Sequence, residues 1–100
     1  MEIVEKVSVE IEYCDSWGYG TRYEELAALI RQKLPEAQIT GKIGRMTSFE
    51  VKVNGVVIHS KLSTMAFPDF EEVCSIVCET ASKGVTPTQV TKTQSWCNII

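Results

Sequence analysis

Residues 49–59 read Phe49-Glu50-Val51-Lys52-Val53-Asn54-Gly55-Val56-Val57-Ile58-His59. Apolar Phe49, Val51 and Val53 alternate with charged Glu50 and Lys52, the period of a strand with one buried face. Asn-Gly then separates this run from a second apolar run. That arrangement predicts a type I′ hairpin, because both turn residues must adopt positive φ. A two-residue turn sets the pairing: Val53 opposite Val56, Val51 opposite Ile58, and Glu50 opposite His59. On this register Glu50 and His59 form an exposed cross-strand pair of small energetic weight, not a catalytic one.

Upstream, Val7, Val9, Ile11 and Tyr13 alternate with Ser8, Glu10 and Glu12, a further half-buried strand that Cys14 ends. A Gly-containing loop, Asp15 to Gly20, follows. Thr21 is the expected N-cap of a helix, with Glu24 completing a capping box. Tyr23, Leu26, Ala27, Ile30 and Leu34 share one face, and Pro35 stops the helix. Residues 37–43 read as another strand. Downstream, 62–67 is expected as loop. Pro68 and Asp69 suit a first helical turn, and Phe70, Val73, Cys74, Val77, Cys78 and Ala81 recur at helical spacing up to Gly84. Polar sides on three strands predict a sheet covered on one face. The fold class is therefore a two-layer α/β sandwich with a parallel crossover. Residues 1–84 form the domain, and the Thr- and Gln-rich stretch 85–100 is expected to be a flexible tail.

One hundred residues, 44% hydrophobic and 23% charged, suit one folded domain. A formal charge of −3 lacks the basic stripe of a nucleic-acid binder. Apolar runs reach only about four residues, far short of the ~20 that cross a bilayer. No secretory signal is visible at Met1-Glu2-Ile3, and Glu2 excludes N-myristoylation. A cytoplasmic location with free thiols at Cys14, Cys74, Cys78 and Cys97 is expected. A single histidine, His59, leaves no zinc-type ligand set. Cys74 and Cys78 lie four apart on the apolar helix face and are expected to be buried and unpaired.

Cys14 is the candidate redox thiol. It ends a strand ahead of a helix, where the helix N-terminus favours a thiolate. Asp15 opposes that effect. Three residues on stands Trp17, so no local disulfide can form there. The last four residues, Cys97-Asn98-Ile99-Ile100, fit the C-a-a-X prenylation signal, with Ile100 favouring a geranylgeranyl group.

At these residues the chain resembles the selenoprotein W-like, or Rdx, family. Residues 9–14 with Gly18-Tyr19 are similar to its first strand and redox loop; residues 49–55 and 59–62 are similar to its hairpin. Phe67-Pro68, residues 81–84 and Cys97 resemble its migration-and-invasion-enhancer branch. The resemblance implies a thioredoxin-like β-α-β-β-β-α fold with both helices on one face of a four-stranded mixed sheet. It also implies thiol redox or redox signalling, with Cys14 as first redox residue and Trp17 where the family places a second cysteine or selenocysteine. No bound cofactor is expected, although Cys14 could carry a glutathione adduct. Prenylation at Cys97 would bring the protein reversibly to the inner face of membranes, where it would meet protein partners. A non-enzymatic membrane-tethered adaptor is the alternative, with Trp17, Tyr19 and Phe67 as its apolar contact surface.

Overall fold

The computed structural model describes residues 6–94. The chain runs β1 (Ser8–Tyr13), α1 (Tyr19–Lys33), β2 (Gln38–Ile43), β3 (Phe49–Val53), β4 (Val56–Ser60), α2 (Lys61–Thr64) and α3 (Phe70–Lys83). The strands form one sheet in the order β2-β1-β3-β4. β1 pairs parallel with β2 and antiparallel with β3, and β3 pairs antiparallel with β4.

One face carries the core. Val9 and Ile11 from β1, Phe49, Val51 and Val53 from β3, and Ile58 from β4 pack against Leu26 and Ile30 of α1 and Val73, Cys74 and Val77 of α3. Each such side chain taken out of water contributes about 1.5–3 kcal/mol, so this two-layer stack is the main source of stability. The other face holds Glu10, Glu12, Lys42, Glu50 and Lys52 around a shallow hollow of about 150 Å³.

The hairpin turn has the predicted form: Asn54 and Gly55 lie at φ 50° and 82°. The Asn54 side chain also accepts a bond from the Ser8 N–H at 2.9 Å, tying the turn to β1. Farther from the turn the pairing departs from expectation. Val53 faces Val56, but Val51 faces His59 and Glu50 faces Ser60. Ile58 is the extra residue of a β-bulge, which places two residues of β4 opposite one of β3. Ile58 and His59 are therefore both buried. The exposed Glu50–His59 pair does not exist. Glu50 is also buried, because α2, expected as loop, folds over it. Its Oε2 accepts the N–H groups of Leu62 (3.2 Å) and Phe49 (3.3 Å).

α1 starts two residues before Thr21. Its N-cap is Gly18 at φ 78°, without a side-chain cap. Trp17 and Gly18 are both left-handed, which turns the chain straight into the helix and leaves Thr21 already inside the first turn. α3 is capped as its sequence implies. Asp69 accepts from the Glu72 N–H at 3.0 Å, and Gly84 closes the other end at φ 64°.

The expected flexible tail is, over 85–94, an extended segment hydrogen-bonded to the domain. Val90 N donates to Ile58 O (2.9 Å) and Gln89 Nε2 to Val57 O (2.8 Å), along the β4 edge. The segment then passes α3, where Thr93 bridges to Pro68. Cys97 and the rest of the prenylation motif lie outside the described residues.

Candidate functional site

The parallel and antiparallel pairings bring three loops to one end of the sheet: 14–18 after β1, 44–48 after β2, and 61–67 after β4. Cys14 sits at the root of the first loop. Its N–H donates to Ser48 O at 3.0 Å, which joins the first loop to the second. The residue is 3% exposed and belongs to the core cluster. Reaction at its sulfur therefore requires the loop to open.

Trp17 has the opposite placement, at the loop tip and 77% exposed. The structure thus buries the first of these two positions and exposes the second. Trp17 also holds φ 54°, a left-handed conformation unusual for a bulky residue. Thr47 and Met65, one in each of the other two loops, are left-handed as well. Such backbone outliers cluster at functional sites.

Around the loops runs an apolar rim that sequence reading missed. Met46 and Met65 are each 73% exposed, and Ile43 and Leu62 also face solvent. The available signal was two methionines in stretches with no helical or strand period, where nothing buries them. Of the three aromatic residues expected at the surface, only Trp17 is there. Tyr19 is buried, and Phe67 is half-buried against Tyr19 (5.2 Å between ring centroids) and Phe49 (5.1 Å). Two cations cover these rings: Arg22 lies 5.0 Å from the Phe67 centroid, and Lys61 lies 5.2 Å from that of Tyr19. Arg22 is also held by Gln94, its Nη1 donating to Oε1 at 3.0 Å.

The second loop is clamped from the open face. Arg45 donates to Glu12 through its backbone N (2.7 Å), Nε (2.9 Å) and Nη2 (3.0 Å). These bonds hold the Glu12 carboxyl at about 2, well below its ordinary 4.5. Gly44 leaves them room, because a Cβ there would overlap the Glu12 side chain and force it to shift.

His59 is tied to the third of these loops. Its Nε2 lies 2.8 Å from Ala66 O, and since a carbonyl only accepts, that nitrogen carries the proton. Burial holds its pKa below 6.5 despite the Ala66 bond and the Glu50 and Glu72 charges. Cys74 is buried and Cys78 half-buried, both unpaired. Burial pushes the Cys74 thiol up to about 11, so little of it is thiolate at neutral pH. Among the described residues no three His, Cys, Asp or Glu side chains converge as a metal site, and no helix is long and apolar enough to cross a membrane.

The comparisons with known proteins agree with this architecture. The Rdx family model matches residues 8–79. Migration and invasion enhancer 1 of Mus musculus is 30% identical over 94 residues, covering 94% of this chain and 81% of that protein. Selenoprotein W of Danio rerio is 36% identical over 66 residues, or 63% of this chain and 77% of its own length. The crystal structure of a selenoprotein W-related protein from Vibrio cholerae superposes with a TM-score of 0.65. It shares 22% identity and covers 77% of this chain and 99% of that one, and its thioredoxin-like fold is the fold described above. The chain belongs to the Rdx family, and membership assigns it a thioredoxin-like, redox-related role.

Proposed function

We propose that this chain is a single-thiol redox-signalling protein of the selenoprotein W type, acting through Cys14 and tethered to membranes through a prenyl group on Cys97. The observation that carries the reading is the placement of Cys14 at the root of a strained loop, between β1 and the start of α1. With Trp17 in the second position, chemistry stops at a mixed disulfide. The Cys14 thiolate attacks oxidised glutathione, a Cys14–glutathione S–S bond forms, and one reduced glutathione leaves. The first step is opening of the loop, because the sulfur starts buried. The protein then works in the cytoplasm and at the inner face of membranes. A single lipid chain gives only reversible attachment.

The adaptor reading has its own support in the rim of Trp17, Met46, Leu62 and Met65, a flexible, methionine-containing surface of the kind that repacks against protein partners. In that reading the same end docks a partner and Cys14 is structural.

The test is peptide mapping of the chain after exposure to oxidised glutathione, together with a redox titration of Trp17→Cys. Glutathione on Cys14, and an internal disulfide in the variant that disappears when Cys14→Ser is added, support the redox reading. No modification of Cys14 at any glutathione ratio leaves the adaptor. Mass spectrometry of the protein from its own cells reads the lipid on Cys97 directly.

A further inference from the structure

Residues 85–94 are held to the domain by a row of hydrogen bonds and by Val90, which packs against the core. Pro87 is buried and Val90 half-buried, while most other residues of the segment are exposed. The central fastening is one carboxylate. Glu72, in the first turn of α3, accepts the Thr91 N–H at 3.0 Å, the Lys92 N–H at 2.8 Å and the Thr91 hydroxyl at 2.6 Å. Burial works against its ionisation, but these bonds outweigh it and its carboxyl lies below the usual range. Beyond the fastening, Lys92 O accepts from Asp69 N (2.9 Å) and Gln94 N donates to Phe67 O (2.8 Å). Gln94 Nε2 donates to Pro68 O at 3.2 Å, and its Oε1 holds Arg22. The segment is a strap that covers the β4 edge and ends against the aromatic cluster beside the redox loop.

We propose that Thr91 is a phosphorylation site and that a phosphoryl group there unlocks the strap from the β4 edge and from Arg22. Thr91 is exposed and lies in extended chain, the form in which a protein kinase takes its substrate. The kinase breaks the bond between the γ-phosphorus of ATP and its bridging oxygen, joins that phosphorus to Thr91 Oγ1, and releases ADP and the hydroxyl proton. The product carries about −1.5 to −2 charge and has lost the donor that met Glu72. The group it meets is acidic: Glu72 accepts the hydroxyl at 2.6 Å, and Asp69, the N-cap residue of the same helix, is tied through its backbone N–H to the neighbouring Lys92 O at 2.9 Å. Lys92 is the adjacent cation, and its own N–H depends on the same carboxylate. A hydrogen-bonded fastening thus becomes a like-charge contact, and the bonds on either side of it lose their anchor.

The proposal is independent of the chemistry at Cys14, so the two can fail separately. The experiment is amide hydrogen exchange at Val90, Thr91, Lys92 and Gln94 in the full chain, with phosphothreonine installed at position 91. Exchange should quicken at least ~100-fold, the loss of the hydroxyl bond to the Glu72 carboxylate together with the backbone bonds that the same carboxylate accepts. Thr91→Val, which removes the hydroxyl without adding charge, should quicken it only about 10-fold, the loss of the single hydroxyl bond to the Glu72 carboxylate. In a Glu72→Gln background the phosphoryl group should add less than about 3-fold, because the repelling carboxylate is gone. Unchanged exchange in the phosphorylated chain, or equal loosening by Thr91→Val, would overturn the charge-driven unlocking. Absence of phosphate on Thr91 in protein recovered from its own cells with phosphatases inhibited would overturn the site.

Discussion

Replacing Glu12 by Gln keeps the shape of the side chain and removes the charge that clamps the 44–48 loop. The cost follows from the titration of Glu12. Its carboxyl lies at about 2 rather than 4.5 because of the Arg45 bonds. At about 1.4 kcal/mol per pH unit, that difference sets a ceiling near ~3.4 kcal/mol. The Arg45 side chain is 66% exposed, so solvent screens the pair, and about 1–2 kcal/mol is the working value. The sign is fixed by the depressed folded-state pKa. The contribution is complete above about pH 4.5 and is lost as pH falls from there towards 2. Urea unfolding of both proteins across this range is the assay. The Glu12→Gln chain should be weaker by about 1–2 kcal/mol near neutrality, and the gap should close on acidification. Because Ser48 O holds the Cys14 N–H from the same loop, the variant should also label faster at Cys14. Equal stability near neutrality, or a gap that ignores pH, would refute the clamp.

Trp17→Gly should stabilise the fold by about 0.5–1 kcal/mol in thermal unfolding, since the left-handed backbone suits glycine and the indole is exposed. Stability should decline as pH drops below 6.5, because folded His59 resists protonation and the unfolded residue does not; a His59→Gln chain should lack that slope in urea titrations. A bulky thiol reagent at neutral pH should modify Cys78 well before Cys74, read by peptide mapping over time. Gly44→Ala should destabilise by about 1–3 kcal/mol, and by much less when Glu12 is also Ala, in a double-mutant cycle.

The core was legible because periodicity and burial are the same fact viewed twice. Val9, Ile11, Phe49, Val51 and Val53 alternate in sequence and lie on one face in space. Asn54-Gly55 announced its turn because few residue pairs accept two positive φ angles. The bulge stayed hidden since Val56, Val57 and Ile58 form an unbroken apolar run, and such a run does not say which member points outward. The short α2 helix was missed with it, although Ser60 accepts from the Ser63 N–H at 3.1 Å in ordinary capping fashion. The extended segment beyond Gly84 was misread for a different reason. Threonine and glutamine are poor core residues, but a sheet edge needs hydrogen bonds rather than apolar contact. At the candidate site, the position of Cys14 followed from strand length. Its depth, and the methionine rim around it, depend on three loops meeting and have no local signature.

Tyr13 of β1 and Tyr23 of α1 stack with ring centroids 4.9 Å apart and planes within 7°. Tyr23 lies directly over Gly41 of β2, where any Cβ would strike the ring. Three successive elements thus meet in one pair of phenols, which can stack only when the crossover is closed. Tyrosine rings held rigidly in a packed, asymmetric setting contribute to near-ultraviolet circular dichroism, a signal that is lost with specific tertiary packing. This domain therefore carries an intrinsic optical gauge for the assembly of its first half, separate from the fluorescence of Trp17 at the surface. Stopped-flow dichroism could time that closure against formation of the hairpin without attaching any label.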